Sequence, residues 1–215
     1  VGAINHSIDL RARLASPELL RFVTGIKTIP SLPDVYHKFM EEVSKPAASI
    51  ASISSIIEGD LGMSATIMKL TNSAYFSLPT QMTSIRKAVQ FLGLESIRSL
   101  VAVDGLFKPA NVSSEIESQI QRISKESMMI AALAKKIALS EGLDLAEVEK
   151  AFCGGLLGRL GCVLFLLNSS DEVKEYLLRL QVNSNAILET EKILFGSTHS
   201  EVGAYLLGLW GFADS

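Results

Sequence analysis

The chain has 215 residues, 48% apolar and 20% charged, enough to build a sizeable core and too apolar for disorder. Its net charge of −3 and pI of about 5.7 leave no basic excess to neutralise phosphates, which argues against nucleic-acid binding. The length fits one large domain or two small subdomains.

No alternation of period two runs for a useful length, and apolar spacings of three and four recur almost throughout, so the expected fold is all-α. Val1-Gly2-Ala3-Ile4-Asn5 lacks a Met and lacks a basic region followed by an apolar run. The expectation is a piece of a longer chain, with residues 1–15 as a linker segment or helix. Ser16-Pro17 opens a helix with Pro at its first position. Pro30 and Pro33 bracket a turn before a helix that buries Val35, Phe39 and Val43. Ser49 is the expected N-cap of a helix carrying Ile53, Ile56 and Ile57. Gly59 ends it, and Asp60 caps the next, to about Ala74. Ser84 starts a helix with Ile85, Ala88, Val89 and Leu92 that Gly93 stops. Another runs from about Glu95 to Phe107. Lys108-Pro109-Ala110-Asn111 reads as a linker.

The second half opens near Ser114 with a long helix. Ile116, Ile120, Ile123, Ile130, Leu133 and Ile137 are its expected buried side, and Gly142 its end. Asp144 and Glu147 match a capping box, as do Thr198 and Glu201 further on. Between them lie helices at about Asp171–Gln181 and Asn185–Phe195. The apolar run Ala151–Leu167 is the single membrane candidate. It carries Arg159, which costs roughly 2.5–3.5 kcal/mol at the middle of a membrane helix on insertion scales, so a buried core helix is expected instead. Gly154, Gly158 and Gly161 fall on one face of that helix. Each costs about 1 kcal/mol of helix propensity relative to Ala, so a neighbouring helix is expected to pack closely there. Cys153 and Cys162, out of phase on the same helix, are expected to be buried structural thiols of a reduced, cytoplasmic protein. His6 and His37 show no spacing that suggests a site.

Three stretches carry a family resemblance in fixed order: Ile29-Pro30-Ser31-Leu32-Pro33, Thr71-Asn72-Ser73-Ala74-Tyr75-Phe76, and Ala88-Val89-Gln90-Phe91-Leu92-Gly93. Together they resemble the HDOD family over roughly residues 16–212. Physics alone reads Asn72 and Ser73 as satisfying backbone groups at a helix end, with Tyr75 and Phe76 packed under the following loop. The resemblance implies two helical subdomains, 16–108 and 113–215, the second a degenerate HD-like bundle. It is similar to HD-superfamily phosphohydrolases, in which a His-Asp pair binds metal within G-L-L-H-D-I-G-K. Here the segment reads Gly155-Leu156-Leu157-Gly158-Arg159-Leu160-Gly161-Cys162.

Gly158 has no side chain, and Arg159 has no lone pair and stays protonated. At an effective dielectric of 20, two unit charges 4 Å apart interact by about 4 kcal/mol; a divalent ion beside Arg159 would feel about twice that as repulsion. Two further positions match ligand segments of the superfamily. Glu126 falls near an upstream His, and His199 falls in a segment resembling H-x-E-hydrophobic-G of HD-GYP phosphodiesterases. Glu126 is expected to be a solvated helix-face carboxylate, and His199 a first-turn helix residue. No bound metal or cofactor is expected.

The resemblance implies a bacterial, non-catalytic signalling module whose partners are other signalling proteins, with receiver, GGDEF or EAL domains as neighbours. No membrane contact is expected. Tyr75, Phe76 and Leu78 are the candidate contact residues. The alternatives are a metal-dependent phosphohydrolase acting on a cyclic dinucleotide, and a sensor binding a small molecule between the subdomains.

Overall fold

The structure, a computed structural model, describes residues 17–26, 32–76, 78–104, 106–107, 112–168, 172–182, 187–210 and 212. Among these are twelve α-helices and no strand: α1 (Pro17–Gly25), α2 (Asp34–Val43), α3 (Ile50–Glu58), α4 (Leu61–Thr71), α5 (Ile85–Leu92), α6 (Leu94–Val103), α7 (Ser114–Ser140), α8 (Leu145–Leu157), α9 (Leu160–Asn168), α10 (Glu172–Val182), α11 (Ile187–Phe195) and α12 (His199–Leu209). The all-α expectation therefore holds. Residues 1–15, expected as a linker segment or helix, and Lys108–Asn111, expected as a linker, lie outside the described residues, as do His6 and Ser77.

Local chemistry starts five of these helices where the sequence marks them. Ser49 and Ser52 form a reciprocal capping box on α3, and Asp60 accepts from the Met63 amide at 2.8 Å to start α4. Ser84 caps α5, and Asp144 accepts the Glu147 amide at 2.9 Å ahead of α8. After α7, Gly142 has φ of 72° and the Leu143 amide returns to the Ala138 carbonyl at 3.1 Å. This left-handed stop satisfies carbonyls the helix end would leave open.

The chain folds into two compact units, each built from separated stretches. One takes Val1–Ile29, Val112–Ile120 and Gly158–Ser215; the other takes Pro30–Asn111 and Gln121–Leu157. A single cut near 108–113 does not reproduce this grouping. The uninterrupted helix α7 gives its first turns to one unit and the rest to the other, which apolar periodicity does not reveal.

In the unit of residues 30–111 and 121–157, α2 packs on α3 and α6, α5 on α3 and α4, and α6 on α8. Phe39, Ile53, Ile57, Met63, Ile67 and Leu92 are buried there, whereas Val43, expected inside, is exposed. In the other unit α9 packs on α12 and α10 on α11. Its core is aromatic: the rings of Phe165 and Phe195 stack at 4.1 Å, and Phe22 meets Phe165 edge-on at 5.0 Å.

Two expectations about helix faces need correction. On α7, Ile120 and Ile123 are buried as expected, but Ile130, Leu133 and Ile137 are 38%, 43% and 59% exposed. The inward face there carries Ser127, Ala131, Lys135 and Ala138. The reason is a close approach to α8: a Cβ placed on Gly155 would lie 2.8 Å from the Ala131 backbone. Such a contact selects small residues and turns the large aliphatics outward. The second correction concerns the glycine face. The helix breaks at Gly158-Arg159, so Gly154, Gly158 and Gly161 share no face. Gly154 and Gly158 are exposed, and nothing lies near a Cβ on Gly154. The tight positions are Gly155 and Gly161, and a Cβ on Gly161 would collide with the His199 carbonyl. Leu145–Asn168 is the one stretch among the described residues apolar and long enough to cross a membrane; 56% of its most apolar window is buried inside the protein.

Candidate functional site

Gly158 and Arg159 form the two-residue turn between α8 and α9. An HD-type metal pair does not fit there. One position lacks a side chain, and the other offers only a protonated guanidinium. Glu126, half-buried on α7, sits 3.7 Å from Arg122 one turn earlier and belongs to the other compact unit from His199.

His199 is the first residue of α12, as expected, but it is not without partners. Three helices bring Cys162 (α9), Tyr176 (α10) and Glu191 (α11) to the first residue of α12. Glu191 is 0% exposed and lies four residues before the buried Phe195, on the inward stripe of α11. Its carboxylate accepts the His199 backbone N–H at 2.8 Å and the Tyr176 hydroxyl at 2.7 Å. Both oxygens lie within 2.9 Å of His199 Nδ1. A carboxylate from a neighbouring helix thus closes the amino end of α12, where a first-turn N–H has no helical partner and the dipole favours negative charge. The Thr198–Glu201 capping box completes that end, with the Thr198 amide donating to Glu201 at 2.8 Å.

Burial by itself would lower the His199 pKa. Hydrogen bonds to Cys162 and Glu191 outweigh it and push the value up to about 10. The imidazole is therefore charged at neutral pH, and the cluster holds a buried ion pair. Burial raises the Tyr176 phenol, and Cys162 and Glu191 add to the rise, so the hydroxyl remains a donor. Cys162 Sγ, the Glu191 carboxylate and the His199 imidazole present ligand atoms within 4.8 Å of one another. The sequence marks Cys162 only as a structural thiol and assigns no role to Tyr176 or Glu191. The one signal it holds is an acidic residue on the apolar stripe of α11.

A second polar cluster joins α5 and α6 in the unit of residues 30–111 and 121–157. Lys135, 2% exposed, donates to the Leu92 carbonyl at 2.8 Å, and Glu149 accepts the Glu95 amide at 2.8 Å. Between them Gly93 has φ of 90°, and a Cβ there would collide with the Glu149 carboxylate. The cation thus meets a helix carboxyl end and the anion a helix amino end. This accounts for the Leu92-Gly93 dipeptide at the end of α5.

The candidate contact loop divides. Phe76 is half-buried and meets Phe91 edge-on at 5.2 Å, as expected of a residue packed under the loop. Tyr75 does not share that role: it is 40% exposed. Leu78 is half-buried. Asn72 bridges ten residues forward, accepting the Met82 amide at 2.7 Å and donating to its carbonyl at 2.9 Å, instead of serving the end of its own helix.

A model of the HDOD domain family matches residues 29–215. Among solved structures, an HDOD domain protein of unknown function from Geobacter sulfurreducens is 26% identical with a TM-score of 0.67, over 94% of this chain and 66% of that one. A Shewanella amazonensis protein provisionally named a phosphohydrolase is 20% identical with a TM-score of 0.64, over 92% of this chain and 68% of its own; that likeness is one of fold. An uncharacterized protein of Treponema pallidum (strain Nichols) is 25% identical over 192 residues, 88% of this chain and 36% of its own length. The chain thus spans about a third of that relative.

Proposed function

The chain belongs to the HDOD domain family, and from that premise we propose that it is a bacterial signal-transduction output module, acting in the cytoplasm by contact with other proteins and not by catalysis. The observation that carries this reading is Gly158-Arg159. An HD-type hydrolase needs a metal-bound water there, and the residues offer no donor while adding a positive charge that repels a cation. The span of about a third of the Treponema relative fits a module within a longer protein. Receiver, GGDEF or EAL domains are the proposed company, following from the family resemblance. Of the candidate contact residues Tyr75, Phe76 and Leu78, Tyr75 is the exposed one.

The test is an assay of cyclic dinucleotide and generic phosphodiester hydrolysis with Mg²⁺ or Mn²⁺ supplied. No turnover above a blank is expected. Turnover that disappears on chelation and is absent from an inactive control preparation overturns the reading.

A further inference from the structure

We propose that Cys162, Glu191 and His199 form a binding site for one divalent cation of the Zn²⁺ class, fixed by α9, α11 and α12. The proposal goes beyond the contact role and can fail without it, because metal uptake and partner binding are separate measurements.

Three observations support it. First, the donors are of three kinds, a thiol, a carboxylate and an imidazole, and their ligand atoms lie within 4.8 Å of one another. Sulfur and nitrogen together favour Zn²⁺ over Mg²⁺ or Ca²⁺, which take oxygen ligands. Second, Cys162 and Glu191 are buried, and each comes from a different helix packed in one unit, so their backbones are held in place. Third, the hydrogen bonds that orient a metal-bound carboxylate are already made: the Tyr176 hydroxyl and the His199 backbone N–H both hold Glu191.

The adjustment required is small. Zinc bonds of about 2.0–2.3 Å place tetrahedral ligands roughly 3.3–3.6 Å apart. The widest pair must close by about 1 Å, and the carboxylate and Nδ1 must open by about 0.5 Å, both within reach of side-chain rotation. The ion takes the place of the proton now between Nδ1 and the carboxylate, and the thiol proton also leaves. Carboxylate and thiolate then balance the two positive charges. Three protein donors leave the fourth position of a tetrahedral site open.

The experiment uses the full tag-free chain, reduced, stripped with chelator and desalted. Zn²⁺ is titrated by calorimetry, and Co²⁺ by absorption for a thiolate-to-cobalt charge-transfer band. The expected result is one ion per chain, a raised thermal midpoint, and a band that survives Cys153→Ala and vanishes in Cys162→Ala. Glu191→Gln should weaken Zn²⁺ binding by more than about tenfold. Should that variant not fold, the cobalt band of the wild type and the two cysteine variants decide alone. Absence of stoichiometric binding, or a band that persists in Cys162→Ala, overturns the proposal.

Discussion

Glu191 holds His199 at two points at once: it accepts the backbone N–H at 2.8 Å, and its oxygens lie 2.8 and 2.9 Å from the ring Nδ1 of the same residue. One carboxylate thereby caps α12 and pairs with the imidazolium, at a position with no access to water. Removing it leaves a helix end, a phenol and a charged ring without their acceptor. Glu191→Ala should therefore cost about 3–5 kcal/mol, the range seen when one partner of a buried pair is deleted. Urea unfolding measures it. A loss below about 1 kcal/mol would mean that water replaces the carboxylate at little cost.

Gly154 and Gly155 are neighbours with opposite surroundings. A Cβ on Gly154 meets nothing within 4 Å, so Gly154→Ala should stabilise by about 0.5–1 kcal/mol through helix propensity. A Cβ on Gly155 presses on the Ala131 backbone, which cannot swing aside as a side chain can. Gly155→Ala should cost about 1–3 kcal/mol. Thermal melts of the two variants side by side should move in opposite directions; equal shifts would contradict the assigned helix contact.

Gly161→Ala should be at least as costly as Gly155→Ala, because the added carbon collides with the His199 carbonyl where α9 meets α12. Gly158, exposed in the turn, should accept Ala within about 0.5 kcal/mol. Denaturant midpoints rank the pair, and a reversed order would place the close contact at the wrong glycine.

Lys135 gives a pH test. Burial lowers its pKa from 10.5, against the opposing pull of Glu149 and Cys153. A depressed folded value means that the folded chain loses this proton before the unfolded chain does. In that window the unfolded state binds more protons, so stability rises with pH. The contribution grows from the lowered value up to 10.5 and is constant above it. Lys135→Met should lack this slope. Urea unfolding of both proteins from neutral pH to 10.5 gives the difference, and parallel curves would show that burial leaves the ammonium unperturbed.

Tyr75 and Phe76 should separate contact from packing. Tyr75→Ser should change stability by no more than about 0.5 kcal/mol, since the ring is exposed. Phe76→Ala should cost about 2 kcal/mol, because its half-buried ring loses the edge contact with Phe91. If Tyr75 belongs to the contact surface, its replacement also weakens capture of the partner. An unchanged set of captured proteins would move the surface elsewhere.

Features that depend on near neighbours and on side-chain chemistry are legible along the chain. Ser49, Asp60, Ser84, Asp144 and Thr198 can be read as caps because each bonds an amide three residues on. The missing donors of Gly158-Arg159 are legible because no fold gives a glycine a ligand or an arginine a lone pair. Other features exist only once distant segments pack. Cys162, Tyr176, Glu191 and His199 lie on four successive helices, and the packing of α9 to α12 makes them neighbours. The same holds for α7, whose apolar period points Ile130, Leu133 and Ile137 inward. Close contact at Gly155 and Ala131 leaves room for small side chains only, so those three face out. Periodicity records which residues share a face, whereas the distance to the neighbouring helix decides which face goes in.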